Sequence, residues 1–150
     1  MSRREATAPA DAPAAPLPFV VDALYYATNA AIAARLERRG YRGIRAAHGK
    51  VFENLGGGAT LSELAARAQV TKQSMADLIA GLEREGYLER VPHPTDKRSQ
   101  IVRTTKRGQR AVAAAEAILA ELIAEWTEEV GVQDLAQAGQ TLSRILGRTR

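Results

Sequence analysis

Apolar side chains recur at helical spacing along most of the chain and alternate with polar ones in only one short region. A repeat of three to four residues predicts amphipathic helices, whereas alternation predicts strands. The pattern predicts the following elements in order: helices over 19–38 and 44–55, a short helix opened by Thr60, a helix opened by Thr71 and ended by Gly86, strands over 87–91 and 100–103, a helix from Thr104 or Thr105 to Val130, and a helix over 134–146.

Local signals mark the ends of the two central helices. Thr60 and Glu63 have the spacing of a capping box, in which each side chain bonds a free backbone amide of the other residue. Thr71 can cap the next helix, and Gly86 can end it. These helices precede a strand, the turn-rich segment PHPTDKRS and a returning strand. We therefore expect a mainly α fold with a small β-wing: a winged helix-turn-helix core with N- and C-terminal dimerisation helices.

The same pattern divides the chain into four segments. Residues 1–18 are rich in alanine and proline without periodicity, and we expect a disordered arm. Residues 19–55 should supply N-terminal helices for dimerisation and core, and residues 56–108 the winged helix-turn-helix DNA-binding region. Residues 109–150 should form C-terminal dimerisation helices.

The first, fifth and sixth predicted helices each carry an apolar stripe that the small winged core cannot cover alone. A two-fold partner chain would cover all three stripes, so we expect a homodimer. The alternative is that these helices pack only on their own core.

Charge is unevenly distributed along the chain. The whole chain carries a net +4, yet residues 67–110 hold ten basic and five acidic side chains, a net +5. Residues 111–146 hold one basic and six acidic side chains, a net −5. A basic segment favours a polyanion as partner, and ordinary solvated surface is the alternative.

Several classes of protein are disfavoured by what the sequence lacks. Without cysteine there is no disulfide, no thiolate zinc site and no cysteine redox switch. We find no GxSxG, HExxH or phosphate-binding glycine loop, because the glycines of 56–58 follow a helix rather than a strand. No apolar run approaches a membrane span and no secretory signal is present. We expect a soluble cytoplasmic protein that is not an enzyme and needs no metal or cofactor.

The helix opened by Thr71 carries polar side chains suited to the major groove of double-stranded DNA. Gln73 can make a paired hydrogen bond to adenine, while Ser74 and Lys72 can reach bases or phosphates. Thr71 and the free amides at the helix start can hold a phosphate. Asp77 is repelled by phosphate. It either accepts a hydrogen bond from a cytosine amino group or forms an ion pair with a neighbouring basic side chain.

The turn between the two strands is the second predicted contact with DNA. Arg98 lies on a thin projection suited to the minor groove, whose negative potential favours arginine. Lys97 would meet a phosphate. Asp96 can either pair with the Arg98 guanidinium or brace the turn.

The stretch LSELAARAQVTKQSMADLIAGLEREGYLERVPHPTDKRSQIVRTTKRG, residues 61–108, resembles the MarR family of winged-helix transcriptional regulators. The resemblance implies a triangular homodimer in which the terminal helices pair and the helix from Thr71 reads the major groove. It also implies that Arg98, braced by Asp96, enters the minor groove. Family members commonly repress genes until a small aromatic or phenolic molecule binds between the dimer helices and the winged lobe.

Three departures from the family pattern limit what carries over. Asp77 stands where many relatives have a longer or basic side chain, so base preference does not transfer. His93 stands where an acid is frequent, which makes the wing more basic. The lack of cysteine removes the peroxide-sensing branch of the family.

An effector site is a further hypothesis. Aromatic and histidine side chains of the first, second and fifth predicted helices would line it, with His48 or a tyrosine hydroxyl holding an acidic group. The candidate residues are Tyr25, Tyr26, His48, Phe52 and Trp126. For any one of them, a place in the core or the interface is the favoured alternative.

The sequence thus predicts a sequence-specific DNA-binding transcriptional regulator, with repression the favoured sign. It would bind an inverted-repeat operator as a homodimer and be released by a small aromatic effector. The alternative is a winged-helix module that binds another protein through the same surface and does not bind DNA.

Overall fold

A computed structural model describes residues 15–148 of the chain. The predicted arm over 1–18 lies mostly outside the described residues, and the first helix begins two residues earlier than expected. The elements in chain order are α1 (Leu17–Arg38), a 3₁₀ turn (Ala46–His48), α2 (Gly49–Leu55), α3 (Leu61–Arg67), α4 (Lys72–Arg84), β1 (Leu88–Pro92), β2 (Gln100–Thr104), α5 (Lys106–Val130) and α6 (Val132–Arg148).

Helices α3 and α4 form the predicted helix-turn-helix. The capping box at the start of α3 is present, because the Thr60 hydroxyl accepts from the Glu63 N–H and the Glu63 carboxylate accepts from the Thr60 N–H at 2.8 Å. The turn between the helices places Gln69 at φ +53°, and the Val70 N–H bonds the Ala65 carbonyl. This left-handed residue reverses the chain, so α4 can lay its apolar face on the core.

The core of the winged lobe is aliphatic. Met75, Ile79 and Leu82 of α4 are fully buried at successive turns of the helix, which is why only its opposite face meets solvent. They pack with residues from α2, α3, both strands and the start of α5, namely Val51, Leu55, Leu64, Ala65, Leu88, Val102 and Ala111.

Strands β1 and β2 form the antiparallel wing, with Leu88 opposite Thr104 and Pro92 opposite Gln100. The predicted first strand began at Tyr87, but Tyr87 is fully buried and precedes the strand. The backbone of Ala59 adds a short bridge on the other side of β2, exchanging two hydrogen bonds with Val102. The wing is thereby tied to the segment that leads into α3.

A close junction joins α4, the wing and α5 around Tyr87. The Thr105 hydroxyl donates to the Gly86 carbonyl at 2.6 Å and accepts from the Gly108 N–H, which makes Thr105, rather than Thr104, the cap of α5. A Cβ on Gly108 would lie 2.0 Å from the Tyr87 carbonyl oxygen, so only glycine fits there. The Tyr87 hydroxyl donates to the Arg42 carbonyl at 2.7 Å. The RTTKRG segment of the sequence owes its threonine and glycine to this junction.

A second, smaller core joins α1 to α5. It contains Leu36, Ile118 and Leu122, which are buried together. Two ion pairs to acids of α5 lie beside it: Arg35 of α1 with Glu125 at 2.7 Å, and Arg39, the residue that follows α1, with Glu121 at 2.6 Å. Part of the net negative charge of the C-terminal region is thus matched by the end of α1.

The predicted start of the second helix, residue 44, was wrong. Ile44 and Arg45 are not helical, and a 3₁₀ turn precedes α2, which begins only at Gly49. The physical reason is local, because the His48 Nδ1 accepts a hydrogen bond from the Arg45 N–H at 3.0 Å and holds Arg45 extended. Ile44 therefore precedes the helix that was predicted to begin with it, and Ala47 is exposed.

The expectation that no apolar segment is long enough to approach a membrane span was also wrong. Helix α1 is long and apolar enough to cross a membrane by length and composition, with a mean hydropathy of 1.2 over its most apolar 18 residues. One such helix near the N-terminal end is weak evidence for a span, because core helices and signal sequences pass the same test. In this fold, the C-terminal end of α1 is held against α5 by the ion pairs described above.

Replacing Gly108 by alanine should destabilise the fold, because the new methyl group would collide with the Tyr87 carbonyl. Overpacking of this kind costs about 1–3 kcal/mol, and we expect the upper half of that range because backbone cannot move aside as a side chain can. Gly57→Ala is the matched control, since a Cβ there meets nothing within 4 Å and should change stability by less than about 1 kcal/mol. Urea denaturation measures both; equal stabilities for the two variants would contradict the close approach.

Candidate nucleic-acid interface and neighbouring cavity

The first turn of α4 presents a row of exposed polar side chains. Thr71 caps the helix, its hydroxyl accepting from the Ser74 N–H at 3.1 Å and donating to the Ser74 hydroxyl at 2.9 Å. Lys72, Gln73 and Ser74 are exposed, because the helix buries Met75 instead. The structure therefore brings the predicted α4 residues together on one solvent-facing surface.

Asp77 has a partner that the sequence reasoning did not consider. The Gln73 Nε2 donates to Asp77 Oδ1 at 2.9 Å, one helical turn away. One of the two alternatives for Asp77 was an ion pair with a basic side chain. No lysine or arginine of residues 15–148 lies in ion-pair range of Asp77. The neutral amide takes that place because residues four apart share a helix face.

The wing tip is a compact turn in which Asp96 braces the backbone. Asp96 Oδ1 accepts from the Arg98 N–H at 2.9 Å, and the Ser99 N–H bonds the Asp96 carbonyl. Of the two alternatives for Asp96, bracing of the turn is the one observed. The Arg98 guanidinium is exposed and pairs with no carboxylate of the described chain.

His93 is a structural residue of the wing that the sequence reasoning missed as such. Its Nδ1 accepts from the Asp96 N–H at 3.1 Å and the Thr95 N–H at 3.3 Å, while the His93 N–H bonds the Ser99 carbonyl. The imidazole thus stabilises the turn by accepting hydrogen bonds from two backbone N–H groups at the wing tip. The only signal in the sequence was its departure from the usual acid at that position.

Basic side chains on the α4 start and the wing tip differ in their ion pairing from the arginines of the two strands. Arg90 pairs with Glu83 and Arg103 pairs with Glu89, both at 2.8–2.9 Å. Within residues 15–148, no carboxylate lies in ion-pair range of Lys72, Lys97 or Arg98. The cations on the α4 start and at the wing tip therefore carry no neutralising acid of the described chain, unlike the arginines of the two strands.

A cavity of about 240 Å³ lies between α1, the start of α2 and the N-terminal half of α5. Its walls are mainly aliphatic, with Phe52 as the aromatic member. Charged groups mark its edge: Arg45 on one element, and Glu53 and Glu116 on two others. Sequence patterns gave no sign of these three residues, because they come together only through tertiary packing.

The other residues predicted for an effector pocket do not line this cavity. Tyr25 lies beside it and donates to Glu53 at 3.1 Å, and burial together with the Glu53 charge raises the pKa of Tyr25 to about 12. Tyr26 stacks edge-on against Tyr25 and is exposed. Trp126 packs on the α1–α5 core. In the part of the chain that the structure covers, no group of three or more His, Asp or Glu side chains could hold a metal ion.

His48 is buried between the cavity wall and α4. It is 1% exposed, and its ring lies 3.4 Å from where a Cβ on Gly81 would stand. The Nδ1 is occupied as an acceptor, so the neutral ring carries its proton on Nε2, which has no hydrogen-bond partner in the structure. Burial, and secondarily the Arg45 charge, lowers the pKa of His48 to about 4.

Fold and surface together define a winged helix-turn-helix protein. Residues 52–99 match the family model described as MarR family. The reduced form of MarR from E. coli has a TM-score of 0.78 and 22% identity, covering 90% of this chain and 99% of that one. A MarR-family regulator from Rhodococcus has a TM-score of 0.66 and 19% identity, covering 86% and 89%.

A protein relative supports the same assignment over a shorter stretch. An HTH-type transcriptional regulator of Mycobacterium tuberculosis is 38% identical over 69 residues, which are 46% of this chain and 48% of that protein. The chain thus spans about half the length of the relatives it matches. Residues 52–99 thus match the MarR family model, and the described chain has the fold of the MarR structures, as the resemblance predicted.

The stability of the protein should fall as pH drops from about 6.5 to 4. The neutral form of His48 is the one that fits the fold, so over this interval the unfolded chain binds one more proton than the folded chain. A pKa of about 4 in the fold against an ordinary value near 6.5 corresponds to a loss of about 3 kcal/mol.

Urea denaturation at several pH values measures this loss, and His48→Gln is the comparison because it keeps a polar side chain that cannot titrate. His93 remains in both proteins, so the difference between their curves isolates His48. Parallel curves for the two proteins would contradict the assignment.

Proposed function

We propose that this protein is a transcriptional regulator that binds an inverted-repeat DNA operator as a homodimer and represses transcription. The observation that carries the proposal is the exposed α4 start beside a braced wing, with Lys72, Lys97 and Arg98 left without carboxylate partners in residues 15–148. Unpaired cations on a helix and a thin hairpin suit phosphates and the two grooves of duplex DNA.

Each predicted contact has a role in this proposal. Gln73, on the exposed side of α4, reads base edges in the major groove, while Thr71, Ser74 and Lys72 fix the helix on the backbone. Lys97 meets a phosphate, and Arg98 enters the minor groove from a turn that Asp96 holds. The exposure of these side chains on the α4 start and the wing tip supports the assignment.

The terminal helices support dimerisation. Helix α6 has no buried residue, and Val132 and Ile145 on it are exposed. Helix α1 exposes Phe19 at 69%, with Val20, Val21 and Leu24 also exposed. Apolar side chains in such numbers mark an interaction surface, and a second copy covers it with the same patch on each chain. Two copies would place their α4 helices on half-sites about one helical turn apart.

The proposal also covers the sign of regulation and the location of the protein in the cell. A structure described as the multiple antibiotic resistance repressor MarR has a TM-score of 0.68 and 20% identity to this chain, which supports repression here by likeness. A regulator that binds genomic DNA acts in the cytoplasm of a bacterium, and a chain without cysteine suits that reducing compartment.

Selection of bound sequences from a random duplex pool should give an inverted repeat, and its affinity should fall steeply with salt, because neutralised phosphates release counterions. Arg98→Ala should weaken binding to that duplex by about tenfold and reduce the salt slope by about 1. Arg38→Ala is the control, with the same charge change on an exposed residue at the far end of α1.

Sedimentation of the free protein should give twice the 16.1 kDa mass of the chain. Failure to bind any duplex at low salt would contradict the proposal and favour a protein partner for the same surface.

We also propose that the cavity beside Phe52 takes a small aromatic acid or phenol that releases DNA. Its volume suits a single ring, its walls are apolar, and Arg45 is the cation available at its edge for a carboxylate. Gly49 of the cavity wall directly follows His48, and His48 packs against Gly81 of α4, so the chain links the cavity to the helix that would read DNA.

Calorimetric titration with aromatic carboxylic acids and phenols tests the cavity. Arg45→Gln should weaken binding of the acids by about tenfold, the usual worth of a charged hydrogen bond, and leave uncharged phenols unchanged. A panel that gives no heat and leaves DNA binding intact would contradict the effector proposal, without bearing on DNA binding itself.

A further inference from the structure

We propose that Asp77 is a positioning residue that holds the Gln73 amide in the orientation that reads adenine. This inference rests on the proposed DNA binding by α4. Asp77 would thereby contribute to sequence choice although its charge opposes the phosphate backbone. The observation behind it is the hydrogen bond of 2.9 Å from Gln73 Nε2 to Asp77 Oδ1.

The chemistry of the two groups fixes which way the amide faces. An ionised carboxylate only accepts hydrogen bonds, so Asp77 can hold the amino end of the Gln73 amide but not its carbonyl end. A free glutamine side chain turns its amide either way at little cost. With Asp77 in place, one orientation is selected before any base arrives.

The groups left on Gln73 match one base edge in the major groove. The amide nitrogen has two hydrogens, and one is taken by Asp77, so one N–H and the Oε1 acceptor remain. Adenine presents an acceptor at N7 beside a donor at N6, which this pair complements. Guanine presents two acceptors there, and Oε1 would face the second of them unfavourably.

The position of the pair on α4 leaves it open to DNA. Gln73 and Asp77 are both exposed on the solvent side of α4, opposite the buried Met75 and Ile79. Nothing else in the described chain accepts a hydrogen bond from the Gln73 amide. Asp77 itself lies one turn further into the helix, so a base can meet the Gln73 amide while Asp77 supports it from behind.

The two properties of Asp77 can be separated by substitution. Asp77→Asn removes the charge and keeps an oxygen acceptor, but its NH2 group can also hold the Gln73 amide the opposite way, whereas Asp77→Ala removes every partner. If positioning matters, Asn should preserve part of the choice of base and Ala should lose it. If only charge matters, the two variants should behave alike.

The experiment uses the full chain and the duplex obtained by selection. Gln73→Ala identifies the base pair that Gln73 reads, as the position where discrimination is lost. The wild type should prefer adenine there by about 5- to 100-fold over the other bases. Asp77→Asn should retain part of that preference while binding every duplex more tightly, and Asp77→Ala should lose most of it, approaching Gln73→Ala.

Three outcomes would overturn the inference while DNA binding stands: undiminished preference in Asp77→Ala, equal loss in Asp77→Asn and Asp77→Ala, or a base other than adenine at the position read by Gln73. Absence of binding to any duplex by the wild type would instead overturn the proposed function, and this inference with it. Matching thermal transitions for the variants confirm that the exposed substitutions leave the fold intact.

Discussion

The contact between Gly108 and the Tyr87 carbonyl determines how the parts of this molecule are arranged. Helix α4 ends at this point, the wing begins and ends there, and α5 begins there. Thr105 bonds the carbonyls of Gly86 and Tyr87 while capping α5, so the three elements leave the junction in fixed directions. Tyr87 extends the junction to the loop after α1 through the Arg42 carbonyl, and Arg107 lies over its ring at 4.8 Å. The surface proposed for DNA and the helix proposed for dimerisation are therefore parts of one rigid arrangement.

That arrangement explains why so few side chains need to carry recognition. The hydrophobic face of α4 fixes the rotation of the helix, and the rotation decides that Lys72, Gln73 and Asp77 are exposed. On the wing, ion pairs neutralise the arginines of the strands, while the turn held by His93 and Asp96 leaves Arg98 unpaired by any acid of the described chain. The cations at the two places where a duplex would be met therefore have no carboxylate partner within residues 15–148, although the net charge of the whole chain is small.

Features set by neighbouring residues could be predicted from the sequence, and features set by distant ones could not. The caps at Thr60, Thr71 and Thr105 depend on residues three positions away, so the pattern located the first two and narrowed the third to Thr104 or Thr105. The late start of α2 depends on a histidine that bonds backwards to Arg45, for which no pattern is known to us.

In the candidate site too, features set by local sequence could be predicted and features set by tertiary packing could not. Exposure of the α4 residues followed from helical periodicity, whereas the Gln73–Asp77 bond needed the rotamers of both side chains. The charged edge of the cavity joins residues more than 60 positions apart, as Arg45 and Glu116 show, and no local signal could have placed them together. Of the aromatic residues predicted for that region, Phe52 is the one at the cavity wall.

The ion pairs between α1 and α5 have a consequence for how the chain is made. Arg35 and Glu125 are separated by 90 residues, so α1 emerges from the ribosome long before the acids that hold it. At about 5–20 residues per second, Leu36 of α1 waits roughly 5–20 seconds for its buried neighbours in α5. The core between α1 and α5 can therefore form only after most of α5 has been translated.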